Sequence, residues 1–331
     1  MKNVPIFLTA FLSRIQDVNT DSIETYKAFE CDALMFLRFY QALINQEPPE
    51  KISTQDVSNF DPELLRKLTL NEVYAYGAYL KNTRKNSHKT IGRRLTTIKS
   101  LLKYLTEVAE IIDRSESIYN KIEKPRPESK LPYYLTESEA RKLLDSASGN
   151  IRNYTAIYIF LTTAVRLSEL INIKMDDIRP NKSLIVTGKG NKQRVIPLSD
   201  NCVKVIDKYK EHRRKRIERR KEKGSFVDEE YLFLSSFMKK MDKSTLHRAL
   251  KKEFEKAGMK ECTIHKLRHT AATLLHSQGV PVRTLQKLLG HESVTTTSIY
   301  THVSDDELRK SMEKNPLNDL VMEYSYKMGI K

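Results

Sequence analysis

The feature that most limits how this chain can fold is the run from Glu123 to Pro132, EKPRPESKLP. Pro125, Pro127 and Pro132 cannot sit inside a helix, and each biases the residue before it toward an extended backbone. Behind the run, Thr136 and Glu139 have the spacing of a capping box. Ala140, Leu143, Leu144 and Ala147 then share one helical face. An extended linker followed by a capped helix marks a new domain. The 331 residues therefore read as a first domain at 1–122, a linker at 123–134 and a second domain at 135–331.

The first domain reads as all helical. Val4–Leu12 is a short apolar stretch broken by Pro5 and Thr9, with no small-residue cleavage site after it. It is expected to be a buried first helix rather than a signal peptide. Asp21–Leu43 carries Ile23, Tyr26, Phe29, Ala33, Leu34, Leu37 and Tyr40 at helical spacing. Gln46–Pro62 is polar, contains three prolines and reads as a loop. Helices are expected at Thr69–Leu80, capped by Thr69 and Glu72, and at Asn86–Glu107. From Lys81 to Thr106 there are eight basic residues and no acid. A helix of one sign repels itself unless an anion neutralises it, so Lys85, Lys89, Arg93, Arg94 and Lys99 are expected to contact DNA.

The second domain mixes element types. Arg152–Thr163 and Leu167–Ile173 read as helices. Ser183–Thr187 and Gln193–Leu198 read as the strands of a hairpin around a Gly/Asn turn. Helices follow at Asn201–Lys221, Ser244–Ala257, Thr263–Ser277 and Val282–Leu289, with Gly279 and Gly290 just past the ends of the last two. Ser304–Glu307 opens a further capped helix, and Leu317–Met328 has the spacing of a final one. The basic run His212–Lys223 reads as a solvated helix end.

Charge and cysteine content narrow the partners. Net charge is +16, which points to a polyanion, nucleic acid first. Residues 1–124 hold 18 basic and 16 acidic side chains, whereas 125–331 hold 40 and 26, so the excess lies mainly in the second domain. No apolar run reaches the roughly 18 residues of a membrane span. Cys31, Cys202 and Cys262 are too scattered for a zinc site and fit free thiols in a cytoplasmic protein. There is no H-E-x-x-H, no Walker loop and no G-x-S-x-G, so no metal or cofactor is indicated.

What remains is a set of cations, imidazoles and one tyrosine. His265 and Arg268 share a face of the first helical turn after Thr263, where free N–H groups and the dipole favour an anion. His291 follows the capping Gly290, and Tyr300 comes nine residues later. The segment HKLRHTAAT from His265, LGH ending at His291 and YTHV from Tyr300 strongly resemble the second motif block of the tyrosine site-specific recombinases. LTTAVRLSEL around Arg166 resembles the first block, and TGKGNK around Lys189 resembles the lysine-bearing hairpin of that family. The order Arg, Lys, HxxR, His, Tyr is the family order.

The resemblance implies a helical (SAM-like) core-site-binding domain followed by an α+β catalytic domain, mainly α with one small sheet. It implies that Arg166 and Arg268 grip the scissile phosphate and that Lys189 protonates the departing 5′ oxygen. His265 would exchange a proton with the nucleophile, His291 would bond the phosphate, and Tyr300 would form a 3′-phosphotyrosyl ester. Glu169 would orient the site. Ala164 departs from the glycine common two residues before the arginine. A homotetramer on two DNA duplexes is implied, with no metal and no ATP. The tail could dock on its own domain or on a neighbouring protomer.

A DNA-binding regulator without catalysis and a nicking-closing topoisomerase are the competing readings. The intact charged set disfavours the first, and the short linker fits the second less well. With no room for an arm-binding domain, the chain leans toward the compact Xer-like type. That type resolves chromosome dimers during chromosome partition, with a DNA translocase of the FtsK type as partner. An integrase or transposon recombinase of a mobile element is the alternative.

Overall fold

The computed structural model describes residues 4–19, 23–115, 117–125, 134–224, 226–290 and 305–319. The chain divides into two compact units, Met1–Leu131 and Pro132–Lys331.

The first unit is built from α1 (Ile6–Asn19), α2 (Ile23–Ile44), α3 (Leu70–Asn82) and α4 (His88–Glu107). Leu8, Phe11 and Leu12 are fully buried, so the apolar start of the chain is core. The expected Thr69–Glu72 capping box opens α3: the Thr69 hydroxyl accepts from the Glu72 N–H, and Glu72 accepts from the Thr69 N–H at 2.6 Å. The stretch read as a plain loop contributes to the core. Six-residue 3-10 helices at Pro49–Thr54 and Pro62–Lys67 bury Ile52 and Leu65, and Val57 and Phe60 are buried between them. The prolines hid this packing because the turns are too short to show a helical period.

Asp32 on α2 is buried and sits beneath α4. It accepts a bidentate pair from Arg93, one arm at 3.0 Å, and a longer bond from Thr97 at 3.4 Å. Arg94 Nε lies 3.7 Å from the same carboxylate. Burial raises the Asp32 carboxyl above its usual range against the pull of Arg93 and Arg94. Two of the five cations expected at DNA are thus engaged inside the unit. Arg94 retains only 12% side-chain exposure, whereas Arg93 retains 49%. Lys85 and Lys89 are exposed, and Lys99 is half-buried.

The second unit comprises α5 (Glu137–Ser146), α6 (Ile151–Thr163), α7 (Leu167–Ile171), β1 (Ile178–Arg179), β2 (Ser183–Thr187), β3 (Gln193–Pro197), α8 (Asp200–Lys221), α9 (Lys243–Lys256), α10 (Ile264–Ser277), α11 (Val282–Leu289) and α12 (Asp305–Glu313). Helix α6 is largely apolar and is buried at every position except Arg152. Such a helix can only be central. It packs against α5, α8, α9 and α10.

The hairpin forms as expected, with Ser183 opposite Pro197 and Thr187 opposite Gln193. A third strand, β1, joins it antiparallel to β2. Two residues give no periodicity, which is why the sequence does not announce it. In the basic run of α8, Arg213 is buried rather than solvated. It donates to the carbonyls of Tyr231 and Glu229, both at 2.8 Å. Several of its neighbours pair with acids, among them Lys215 with Glu211 and Lys221 with Glu229.

The end of the described chain folds back on its own unit. Leu317 is fully buried, Asn315 donates to the Leu161 carbonyl at 3.0 Å, and the Asn318 carbonyl accepts from Tyr158 at 2.7 Å and Asn201 at 2.9 Å. The tail expected to continue from there lies outside the described residues, as do Tyr300 and His291.

Candidate active site

Helix α6 stops because Ala164 takes a left-handed backbone, φ 53° and ψ 28°. Its N–H still bonds the Phe160 carbonyl at 3.1 Å. The chain then turns, and Arg166 becomes the N-cap of the short α7. A non-glycine residue in this region is strained by roughly 1–2 kcal/mol. This is the position where the resembled motif commonly has glycine; here the alanine bears the strain of the turn.

One turn into α7, Glu169 is almost fully buried, and its two oxygens collect four close bonds. Oε2 accepts the Arg166 backbone N–H at 2.7 Å and Arg194 Nη2 at 2.9 Å. Oε1 accepts Arg166 Nη1 at 2.8 Å and Arg194 Nη1 at 2.8 Å. Arg268 Nη1 stands 4.0 Å from Oε2. Burial alone would raise this carboxyl. The bonds from Arg194 and Arg166, with the charge of Arg194, outweigh it and hold the pKa at about 2. Glu169 is therefore ionised throughout the physiological range.

The same three arginines close the C-terminus of α11. Arg194 Nε donates to the Leu288 carbonyl at 2.8 Å, Arg268 Nη2 to Leu289 at 2.6 Å, and Arg166 Nη2 to Gly290 at 3.0 Å. A helix end leaves its last carbonyls unpaired and carries partial negative charge, so guanidinium groups are suited to it. Gly290 ends the helix at φ 61°. A side chain there would meet Arg194 Nη1 at 3.0 Å, so glycine serves both the turn and the close approach.

Arg268 reaches this point from the second turn of α10. It also donates to the Ala164 carbonyl at 2.6 Å, tying the strained turn to α10. Burial, then the charge of Arg166, lowers its pKa to about 10, which leaves it cationic at neutral pH. Arg166 differs from it in being 40% exposed along the side chain. It faces an open cleft of about 690 Å³ lined also by Thr187, Gly188, Lys192 and Gln286. His265 lies exposed on the first turn of α10. Lys189 stands in the β2–β3 turn, where Gly190 and Asn191 have positive φ and the Gly188 N–H bonds the Lys192 carbonyl at 2.8 Å. The structure thus brings Arg166, Glu169 and Arg268 into one cluster.

Residues 133–307 match the model described as the phage integrase family. The chain is 38% identical over 323 residues to tyrosine recombinase XerC of Caldanaerobacter subterraneus subsp. tengcongensis, a match spanning 95% of this chain and 88% of the relative. The chain belongs to the phage integrase family of tyrosine recombinases. It is thus an enzyme of a family that cleaves and rejoins DNA. Tyrosine recombinase XerD of Listeria monocytogenes is 30% identical over 296 residues, covering 87% of this chain and 91% of that one. Among solved structures, a lambda integrase dimer bound to a COC′ core site has the same fold, with a TM-score of 0.62 at 19% identity. That match covers 90% of this recombinase and 99% of the other chain.

Arg194 is not among the residues that the sequence motifs single out, since Gln193–Leu198 reads only as a strand. A signal was there. Arg194 and Ile196 share one face of β3, and Ile196 is fully buried, while Val195 between them is 50% exposed. A charge on the inward register with an apolar residue facing out calls for a buried partner. The two buried cysteines are not candidates for nucleophilic work, since burial pushes Cys202 up to about 12 and Cys262 up to about 11.

Proposed function

We propose that this recombinase acts at a specific DNA site through a 3′-phosphotyrosyl intermediate carried on Tyr300. The observation that supports it best is the cluster of Arg166 and Arg268 around the buried, ionised Glu169 beside an open cleft. Arg166 lines that cleft, where a phosphate can enter, with Arg268 buried behind it, and arginine's planar fork matches two non-bridging oxygens. The Tyr300 oxygen attacks phosphorus, the bond to the 5′ oxygen breaks, and Lys189 gives that oxygen its proton. His265 takes the tyrosine proton, and His291 bonds the phosphate. Fixed cations of this kind stabilise charge that grows in the transition state. The ester stores the cleaved bond, so a 5′-hydroxyl from a second duplex can complete the exchange without ATP.

The names XerC and XerD among the relatives support an Xer-type role in resolving chromosome dimers. The lambda integrase dimer on its core site supports duplex DNA as the partner. A tetramer on two duplexes, a translocase of the FtsK type and a cytoplasmic location complete the proposal. Lys85, Lys89 and Lys99 on or beside α4, with the half-exposed Arg93, are the proposed DNA contacts of the first unit. Arg94 is spent on Asp32 and is left out.

The test is a nicked suicide duplex carrying the recombination site. The recombinase should form a covalent adduct, and Tyr300→Phe should bind the duplex without forming one. An adduct that persists in the Tyr300→Phe variant removes Tyr300 from the role. Sequencing the DNA trapped on the unaltered recombinase identifies the site.

A further inference from the structure

We propose that Arg194 is a positioning residue of the recombination reaction: it locks Glu169 and the end of α11, and through them sets the guanidinium of Arg166. Three features of the structure carry this. First, its commitments are internal. Three of its five N–H groups go to Glu169 and to the Leu288 carbonyl, and only 14% of the side chain is exposed. Its donors are thus mostly committed within the protein, at the wall of the cleft.

Second, the carboxylate it holds is the one that holds Arg166. Glu169 bonds Arg166 twice, once at the backbone N–H and once at Nη1. Without Arg194, each oxygen of a buried carboxylate loses an arginine donor. The remaining arginine can then rotate to share both oxygens, which withdraws it from the cleft. Third, Arg194 and Arg166 bond carbonyls two residues apart at the end of α11, Leu288 and Gly290. The arginine on β3 and the arginine on α7 are therefore joined by two routes, one through a carboxylate and one through a helix end. Arg194 is thus linked to Arg166 through Glu169 and the end of α11.

The inference rests on the role proposed above for Arg166, and the test separates the two. Strand cleavage on the suicide duplex is measured alongside equilibrium binding to the same duplex for Arg194→Lys, Arg194→Ala, Glu169→Ala, Arg166→Ala and the Arg194→Ala/Glu169→Ala pair. Lysine keeps the charge and the aliphatic stem but lacks the fork, so Arg194→Lys keeps the fold if Arg194→Ala does not. Arg194→Lys should bind the duplex within about twofold of the parent and cleave about 10- to 100-fold more slowly, the scale of a misplaced catalytic group. The double variant should cleave no more slowly than the slower single, because the two residues act along one path.

Cleavage by Arg194→Lys at the parental rate overturns the inference while leaving Arg166 in place, provided that Arg166→Ala is inactive. A loss of binding that matches the loss of cleavage also overturns it, because Arg194 would then be a DNA contact. Rate losses that multiply in the double variant overturn it as well. Parental cleavage by Arg166→Ala removes the site reading, and this inference with it.

Discussion

Replacing Glu169 by glutamine tests how much the charge cluster contributes to the fold. The side chains are nearly the same size, so the substitution makes no cavity. It removes one negative charge from among three guanidinium groups. It also places an amide N–H₂ where one carboxylate oxygen now accepts from arginine. The size of the effect follows from the carboxyl's own titration. Its pKa falls from 4.5 to about 2 on folding. At about 1.4 kcal/mol per unit, the ionised form is favoured by roughly 3 kcal/mol. That agrees with the roughly 3–5 kcal/mol lost when one partner of a buried ion pair is removed. The group is buried, so solvent screening does not shrink the figure.

The second unit should therefore melt roughly 6–12 °C lower in Glu169→Gln at pH 7, taking about 2–4 °C per kcal/mol for a domain of this size. The chain has no tryptophan, so calorimetry or circular dichroism is the assay. The pH dependence has a fixed sign. A carboxyl whose folded pKa is depressed contributes stability that is complete above its unfolded pKa. That contribution is lost as pH falls through the folded value. The gap between the two proteins should be full above pH 5 and should narrow steadily from about pH 4.5 toward pH 2. A variant that melts with the parent at pH 7, or a gap that stays constant down to pH 3, would refute the reasoning.

Other outcomes follow from the same structure. Ala164→Gly should change stability by less than about 1 kcal/mol: relief of the left-handed strain is offset by the lost buried methyl and by glycine's chain entropy. Equilibrium unfolding of the two proteins checks it. Lys85→Ala and Lys89→Ala should each weaken duplex binding across unrelated sequences and lower the slope of log K against log salt by about one. Arg94→Ala should instead lower the melting temperature of the first unit and leave the salt slope unchanged, because its charge faces Asp32. A chain ending at Asn315 should lose stability, since it removes Leu317 and the Asn318 carbonyl from the core. Ending the chain at Asp319 spares them, so assembly on DNA measured with that variant isolates what the rest of the tail does.

The sequence singled out a charged set because its residue types are rare in combination, and the structure brings Arg166, Glu169 and Arg268 of it together. Two arginines, a lysine, two histidines and a tyrosine in a fixed order have few other uses. The helices were legible because caps and apolar spacing agreed, as at Thr69 and Thr136. What stayed hidden was pairing between distant residues. Asp32 lies among the apolar positions of α2, and nothing local says that it meets Arg93 and Arg94 some sixty positions later. The run from Lys81 to Thr106 holds no acid and suggests phosphate, but for Arg93 and Arg94 a neutralising acid comes from another helix. Arg194 was hidden in the same way, by a contact of 25 positions to Glu169. The left-handed turn at Ala164 had one signal, the glycine common at that place in the resembled motif, because alanine itself does not favour positive φ.

These hidden contacts share one physical role. Guanidinium groups do not gather unaided, because like charges in a low-dielectric pocket repel. Arg166, Arg194 and Arg268 come together because one buried carboxylate and three carbonyls at a helix end oppose that repulsion. The carboxylate cancels only one of the three positive charges, so the cluster keeps a surplus of two. In the proposed reaction a phosphodiester brings one negative charge, and attack by a tyrosine oxygen brings the phosphorus centre toward two. A site left neutral by a second acid would bind the phosphate weakly. A site with no acid would hold the arginines apart or collapse them onto the substrate's ground state. In the proposed reaction Glu169 would set the balance between these, through the charge it leaves on the arginines rather than through a bond to the phosphate.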